Sequence, residues 1–274
     1  MRTNPLCKLV FVLGDIHGDF GGLNSFINTH IRTSRAVREL AAQWQRRGAE
    51  LEVILLQCGD FAFYWPGKNN SRAIRNQVPF IRNERVQIYW CAGNHENHDA
   101  LDTLFPDPLD TRLKEVAPGV WFARFGASLH LTPDITVLFA GGAESFDRAW
   151  RAPGETWWPQ EGVSEGDMAR LDTITRADWV ISHTAPADFD LTRWEHRLFT
   201  SEKLREPSRD KLEELRLRFR PARWFFGHFH QAMSGCRDGC RWTGLSNIGS
   251  HARWWTKICL TETLDRDSVP RRIR

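Results

Sequence analysis

The sequence predicts an α/β fold. Short apolar runs of strand length recur along the chain, and segments with the 3.6-residue apolar period of helices stand between them. Several of the runs also end in glycine followed by acidic, amide or imidazole side chains. In layered α/β proteins, sites gather beyond the carboxyl ends of the strands, so the same pattern that predicts the fold also marks where function should lie.

The first buried strand is residues 9–13, and it runs directly into Leu13-Gly14-Asp15-Ile16-His17-Gly18-Asp19. Asp15 and His17 are two apart, so on an extended segment both leave one face. A carboxylate beside an imidazole suits a borderline transition metal. Gly14 and Gly18 let the backbone turn and leave room for a ligand. Gly21-Gly22 opens a helical pattern through Ile31, and a second helix places Val37, Leu40, Ala41 and Trp44 on one face before Arg46-Arg47-Gly48 closes it.

Residues 51–56 form the second strand, ending at Cys58-Gly59-Asp60. A loop-like insertion over 61–79 follows. It carries Lys68, Arg72 and Arg75, with Arg82 and Arg85 just beyond, and this basic stretch, 64–85, reads as a solvated face. The interleaved Trp65 and Phe80 would also suit a nucleotide base. Residues 86–90 are the third strand, ending at Cys91-Ala92-Gly93-Asn94-His95-Glu96.

The middle of the chain is richer in strands: 120–124, 128–132 and 135–140, the last ending at Gly141-Gly142. A Trp- and Pro-rich loop over 150–162 has no period. Ser164 with Asp167 is a capping-box signature, so a helix begins there. Residues 179–181 form a strand ending at Ser182-His183-Thr184. Ser208 starts a helix with Leu212, Leu215 and Phe219 inward and Glu214 four residues before Arg218 outward. Residues 222–226 form a strand ending at Gly227-His228-Phe229-His230. Residues 257–263 are the last strand, and 271–274 a frayed basic tail.

No internal repeat or interdomain linker interrupts the 274 residues, so one domain over 1–274 is expected. The formal net charge of +3 does not itself imply nucleic acid or membrane binding. No stretch approaches the roughly 20 apolar residues of a membrane span, and the five-residue run at 9–13 is shorter than a signal-peptide core. Cys58 and Cys91 fall inside buried strands. Cys236 and Cys240 flank a Gly/Asp turn, open to a disulfide or half a zinc site. With no second pair at zinc spacing, free thiols in a cytoplasmic protein are expected.

Five polar clusters each follow a strand: Asp15/His17, Asp60, Asn94/His95, His183 and His228/His230. A lone histidine is ordinarily structural, and Gly-Asp alone is a turn. The ordered set is far more specific. Asp-x-His, Gly-Asp, Gly-Asn-His-Glu, His and Gly-His-x-His in this order resemble the calcineurin-like metallophosphoesterases, over Gly14 to His230. Gly141-Gly142-Ala143-Glu144-Ser145-Phe146-Asp147-Arg148, with Arg151 and Trp157-Trp158-Pro159, resembles a segment of uncharacterised bacterial members.

That resemblance implies a four-layer sandwich of two mixed β-sheets flanked by helices. It implies two divalent metal ions, manganese first, with iron or zinc as alternatives. One would be held by Asp15, His17, Asp60 and His230, the other by Asp60, Asn94, His183 and His228, with Asp60 bridging across about 3.5–4 Å. The implied reaction is hydrolysis of a phosphomonoester or phosphodiester, a nucleotide among them, by a metal-activated water. His95 would contact the phosphoryl oxygens, as would Asn94, and protonate the leaving group. Arg148 and Arg151 are candidate phosphate groups.

Two residues depart from the family's protein phosphatases. The segment Gly59-Asp60-Phe61-Ala62-Phe63 lacks the second aspartate and the arginine found there, so His95 has no acidic partner and the Ser/Thr-phosphatase reading weakens. The Gly-His-x-His ending is commoner among phosphodiesterase-like branches. A nuclease is a further alternative, disfavoured by the low net charge. A non-catalytic scaffold of the same fold that binds a protein is the alternative outside enzymes, and metal content discriminates it. His30, His98, His130, His196 and His251 fit no motif and are expected to be structural.

Overall fold

The computed structural model describes residues 7–65, 86–192 and 204–261, the last without its side chain. The basic positions of the insertion, Phe80, His196 and the tail lie outside these residues.

The chain begins with strand β1 (Cys7–Leu13), helix α1 (Phe20–Ile27), a π-turn (Asn28–Arg32) and α2 (Arg35–Gln45), then β2 (Leu51–Gln57) and β3 (Val86–Trp90). Next come α3 (His98–Asp102), β4 (Lys114–Ala117), β5 (Val120–Phe122), β6 (Ser128–Thr132) and β7 (Ile135–Ala140). The remainder is α4 (Glu165–Ala169), β8 (Trp179–Ser182), α5 (Pro207–Phe219), β9 (Arg223–Phe226), β10 (Met233–Arg237), β11 (Cys240–Gly244) and β12 (Trp255–Thr261).

Two mixed six-stranded sheets result, in the orders β12-β1-β2-β3-β5-β4 and β10-β11-β9-β8-β7-β6. In the first, β1, β2, β3 and β5 are parallel, and antiparallel β12 and β4 close its edges. In the second, β7, β8, β9 and β11 run parallel.

The strands read as continuous apolar runs because both of their faces are buried. Along β1, Leu9, Phe11 and Leu13 pack with Phe20, Leu23 and Phe26 of α1. The alternate residues Val10 and Val12 face Val137, Phe139, Ile181 and Phe225 of the other sheet. On the far side, Val180, Trp224 and Phe226 meet Leu212 and Leu215 of α5. Helix, sheet, sheet, helix is thus the layer order, the one the family resemblance implies.

The Ser164–Asp167 capping box forms, although α4 passes after one turn into a 3-10 segment, Arg170–Thr173. Helix α5 starts one residue before Ser208, with Pro207 at its first position, where the missing N–H costs nothing. The expected Glu214–Arg218 pair is replaced: Arg218 reaches Leu171 O and Asp172, and it is Arg216 that pairs within the helix, with Glu213.

Three strands were not expected from the sequence. Strand β4 is a charged edge strand without apolar alternation. Strands β10 and β11 form a polar hairpin whose turn, Asp238-Gly239, has φ of 47° and 83°. Asp-Gly at two positive-φ residues is the strongest short-range hairpin signal, so it was present to be read. The hairpin register puts Cys236 opposite Arg241 and Cys240 opposite Arg237, so the two cysteines lie on opposite faces, and all six cysteines are free thiols.

Candidate metal centre

The parallel strands of both sheets deliver their following turns to one end of the sandwich. Three buried devices fix those turns before any ligand is considered. Gln57 donates from Nε2 to the carbonyls of Gly14 and Gly59 and accepts from Gly59 N–H, which ties the ends of β1 and β2 together. The carbonyl of Asp60 accepts the N–H groups of Ile16 and His17 at 3.1 and 2.7 Å. Glu96 accepts Phe61 N–H and Ala62 N–H at 2.7 and 3.0 Å, pinning the turn beyond Asp60. Burial pushes the Glu96 carboxyl well above its usual range.

The backbone at the site is strained. His17, Asp60, Ala62, His228 and His230 have φ between 48° and 64°. An L-residue in this left-handed region costs about 1 kcal/mol or more. The extended geometry expected for Asp15-Ile16-His17 is therefore not adopted, and the two side chains converge through a left-handed turn instead. Strain of this kind persists only where surrounding contacts over-determine it, and it concentrates at functional sites.

One ligand atom each from Asp15, His17, Asp60 and His230 lie within 4.8 Å of one another. His230 Nε2 sits 2.9 Å from Asp15 Oδ2 and 3.0 Å from His17 Nε2. His17 Nδ1 is 3.7 Å from Asp60 Oδ2. Beyond Asp60, a second group converges. His183 Nε2 is 3.3 Å from Asp60 Oδ1 and 2.9 Å from Asn94 Oδ1, and His228 Nδ1 is 3.1 Å from the same Asn94 oxygen. His183 donates its Nδ1–H to Cys58 O at 2.8 Å, which aims Nε2 at the cage.

Glycine makes this density possible. A Cβ on Gly93 would lie 2.2 Å from Asp60 Oδ1, and one on Gly227 would lie 2.0 Å from Asp15 Oδ1. Gly227 also lets His228 N–H reach both Asp15 oxygens at 3.1 Å.

The cluster of Asp15, His17, Asp60 and His230 fits a cation. Mixed carboxylate, imidazole and amide-oxygen donors suit manganese, iron or zinc. The electrostatics agree: burial opposes charge on His183, yet the neighbouring Asp60 and Asp15 outweigh it and raise that imidazole to about 10. Burial likewise opposes charge on Asp60, but His183, His95 and His17 hold its carboxyl well below the usual range. His230 is raised as well, because its bond to Asp15 overcomes burial. Two buried carboxylates thus demand positive charge at this point.

His95 stands on the rim. Its backbone N–H donates to Asp60 Oδ1 at 2.7 Å, and its ring packs edge-on to His17. Nε2 of His95 lies 2.6 Å from Nη2 of Arg151, whose side chain is 8% exposed. Burial, with Arg151 and the neighbouring imidazoles against a partial counterpull from Asp60, lowers His95 to about 4. Arg151 is itself held by Asp147 at 2.7 Å and donates to the carbonyls of Asn94 and Thr156. Arg148, the other candidate phosphate group, does not join it. Its guanidinium lies over the Trp157 ring, 4.3 Å from the centroid.

The loop over 144–162 supplies residues that sequence reasoning missed. Asn94 Nδ2 donates to Ser145 Oγ at 3.0 Å, and Ser145 donates to Glu161, so the amide oxygen is turned toward His183 and His228. Burial raises Glu161 to about 7. His98, expected to be structural, is buried and hydrogen-bonds Gly93 O at 3.0 Å, fixing the turn before Asn94.

Comparison with known proteins identifies the family and the fold. The family model described as calcineurin-like phosphoesterase matches residues 8–232. Phosphopantetheinyl hydrolase from Mycobacterium tuberculosis shares the fold with a TM-score of 0.52 and 14% identity, over 96% of this chain and 98% of that one. A protein assigned as a 5'-nucleotidase from Staphylococcus aureus matches with a TM-score of 0.45 and 16% identity over 92% of this chain, which spans 50% of its length. No curated protein matches the sequence. No helix among the described residues is long and apolar enough to cross a membrane.

Proposed function

We propose that this chain, which belongs to the calcineurin-like phosphoesterase family, is a dinuclear metal-dependent hydrolase of phosphate esters. The observation that carries this reading is the convergence of Asp15, His17, Asp60 and His230 on one point, with Asn94, His183 and His228 on the other side of Asp60. The bound ions would polarise the phosphoryl oxygens and lower the pKa of a water, with manganese the first choice and iron or zinc next.

The chain's own residues supply the rest. Asp60, with one oxygen toward each group of donors, would bridge the two sites. Arg151 and His95 form a clamp at the rim. A phosphoryl oxygen arriving there takes over the hydrogen bond that Arg151 now gives to His95, and its negative charge favours protonation of that imidazole. His95 then holds a proton at Nε2, beside the position of the leaving-group oxygen, and delivers it as the ester bond breaks. Asn94 turns its amide oxygen toward the second site.

The rim also suits a flat leaving group. Trp65 lies 5.4 Å from His95 between ring centroids, and Phe146, 40% exposed, lies 4.7 Å from His228. Trp150, on the same loop as Arg151, is 91% exposed. Aromatic faces beside a phosphate site favour an aryl ester or a nucleotide.

The test is hydrolysis of an aryl phosphate monoester and of the corresponding diester with added manganese, followed by nucleotides. Turnover of one or both supports the reading. No turnover of either by protein that holds its metal contradicts it.

A further inference from the structure

Glu206 was not part of any motif, yet its carboxyl group is buried, 5% exposed at the start of α5. Its Oε1 accepts the hydroxyl of Thr184, the residue after His183. Its Oε2 faces Nε2 of His228 at 3.3 Å. Among the described residues neither Oε2 nor Nε2 has a hydrogen-bond partner, and the two face each other short of in-line geometry, so a small rotation of either ring or carboxyl closes the bond.

The opposite edge of the same imidazole points into the cage, with Nδ1 3.1 Å from Asn94 Oδ1. A histidine that binds a cation through Nδ1 carries its proton on Nε2. That proton needs an acceptor, and Glu206 Oε2 is the one in place. His183 shows the same logic with the roles of the ring nitrogens exchanged: Nδ1–H goes to Cys58 O and Nε2 faces the cage.

The carboxyl is held where it can act. Arg209, buried one turn into α5, donates to the carbonyls of Ala185, Pro186, Ala187, Phe189 and Leu204. This fastens the segment after Thr184 to the start of the helix. Ser208 is bonded to Glu144. Thr184 and Glu206 are therefore fixed relative to each other before His228 is considered.

We propose that Glu206 is a positioning residue for the second metal site. It receives the Nε2–H of His228, selects the tautomer that leaves Nδ1 free to bind, and stiffens the ring against rotation. The inference rests on the proposed dinuclear centre and adds to it a residue that touches neither metal nor substrate.

The experiment is calorimetric titration of the metal-free protein with zinc. Wild type is expected to bind two equivalents. Glu206→Gln, which keeps shape and volume, weakens one equivalent about 10-fold and Glu206→Ala about 100-fold, the range seen when such partners are removed. The other equivalent, at Asp15, His17, Asp60 and His230, is unchanged. Thr184→Val, which leaves the carboxyl but unties it, moves the same equivalent in the same direction by less. In the zinc-loaded wild type, the Nε2–H resonance of His228 is slow to exchange and shifted downfield, and it moves back in Glu206→Ala. Two wild-type equivalents that Glu206→Gln and Glu206→Ala leave untouched, or weaken equally, overturn the role of Glu206 while sparing the dinuclear reading. Fewer than two equivalents in wild type overturn both.

Discussion

Arg151 Nη2 lies 2.6 Å from His95 Nε2, so the His95 imidazole on the rim of the centre is met by a fixed cation rather than by a carboxylate. In the family's protein phosphatases the corresponding histidine has an acidic neighbour, which this sequence lacks. The consequence is a change of sign. An acidic neighbour would raise the imidazole, whereas burial together with Arg151 brings His95 down to about 4. His95 is therefore neutral at pH 7 and accepts from Arg151.

Removing that cation should move His95 upward. In metal-free Arg151→Met the charged imidazole loses a repulsive neighbour, so its midpoint rises from about 4 toward the ordinary 6.5, as histidine NMR titration would record. The same variant should lose affinity for a phosphate ester, seen as a raised KM. A midpoint that does not move means that Arg151 does not govern His95.

His95→Ala should keep both ions and lose rate. The loss expected for a proton-transfer group is about 10²- to 10⁴-fold in kcat. Full turnover in this variant would remove His95 from the chemistry and leave Arg151 as the only rim group acting on the phosphate.

Glycine substitutions give a test that leaves every donor side chain in place. Gly93→Ala puts a methyl group 2.2 Å from Asp60 Oδ1, and Gly227→Ala puts one 2.0 Å from Asp15 Oδ1. Each carboxylate must shift to relieve the overlap. Both variants should bind metal at least about 10-fold more weakly, the scale of disturbing a ligand's orientation. Metal titration checks this, and unchanged affinity would show that the carboxylates are not held against these glycines.

Glu161 makes a prediction about stability. Its carboxyl is raised by burial from 4.5 to about 7 in the folded protein, so folding favours its protonated form. That contribution is fully present below pH 4.5 and is lost as pH rises through about 7. Glu161→Gln, always neutral, should flatten this part of the stability profile, as urea midpoints at pH 5 and pH 8 would show. An equal fall with pH in the variant would place the dependence elsewhere.

The positions proposed to hold the ions were legible in the sequence by residue type and spacing. Asp15, His17, Asp60, Asn94, His183, His228 and His230 each follow an apolar run, and strands buried on both faces write themselves as such runs. The groups that orient those side chains were not legible. Ser145 sat inside a quoted segment but carried no role there, Glu161 and Glu206 lie outside the motifs in segments without period, and all three meet Asn94 or His228 only through tertiary packing. Glu96 sat inside a recognised motif, but its bonds to Phe61 N–H and Ala62 N–H depend on a left-handed turn at Asp60 that no spacing reveals. Arg148 and Arg151 are indistinguishable as types, and only the short 3-10 turn at Arg148–Trp150 sends one to Trp157 and the other to His95.

Asp60 is where the two groups of donors meet, with Oδ2 toward His17 and Oδ1 toward His183. Metal analysis of wild type and Asp60→Asn, purified side by side with manganese, tests that junction directly. The account predicts two ions per wild-type chain and the loss of both from the variant, together with its hydrolysis of phosphate esters. A wild-type chain that holds no ion, or a variant that keeps both, would contradict it.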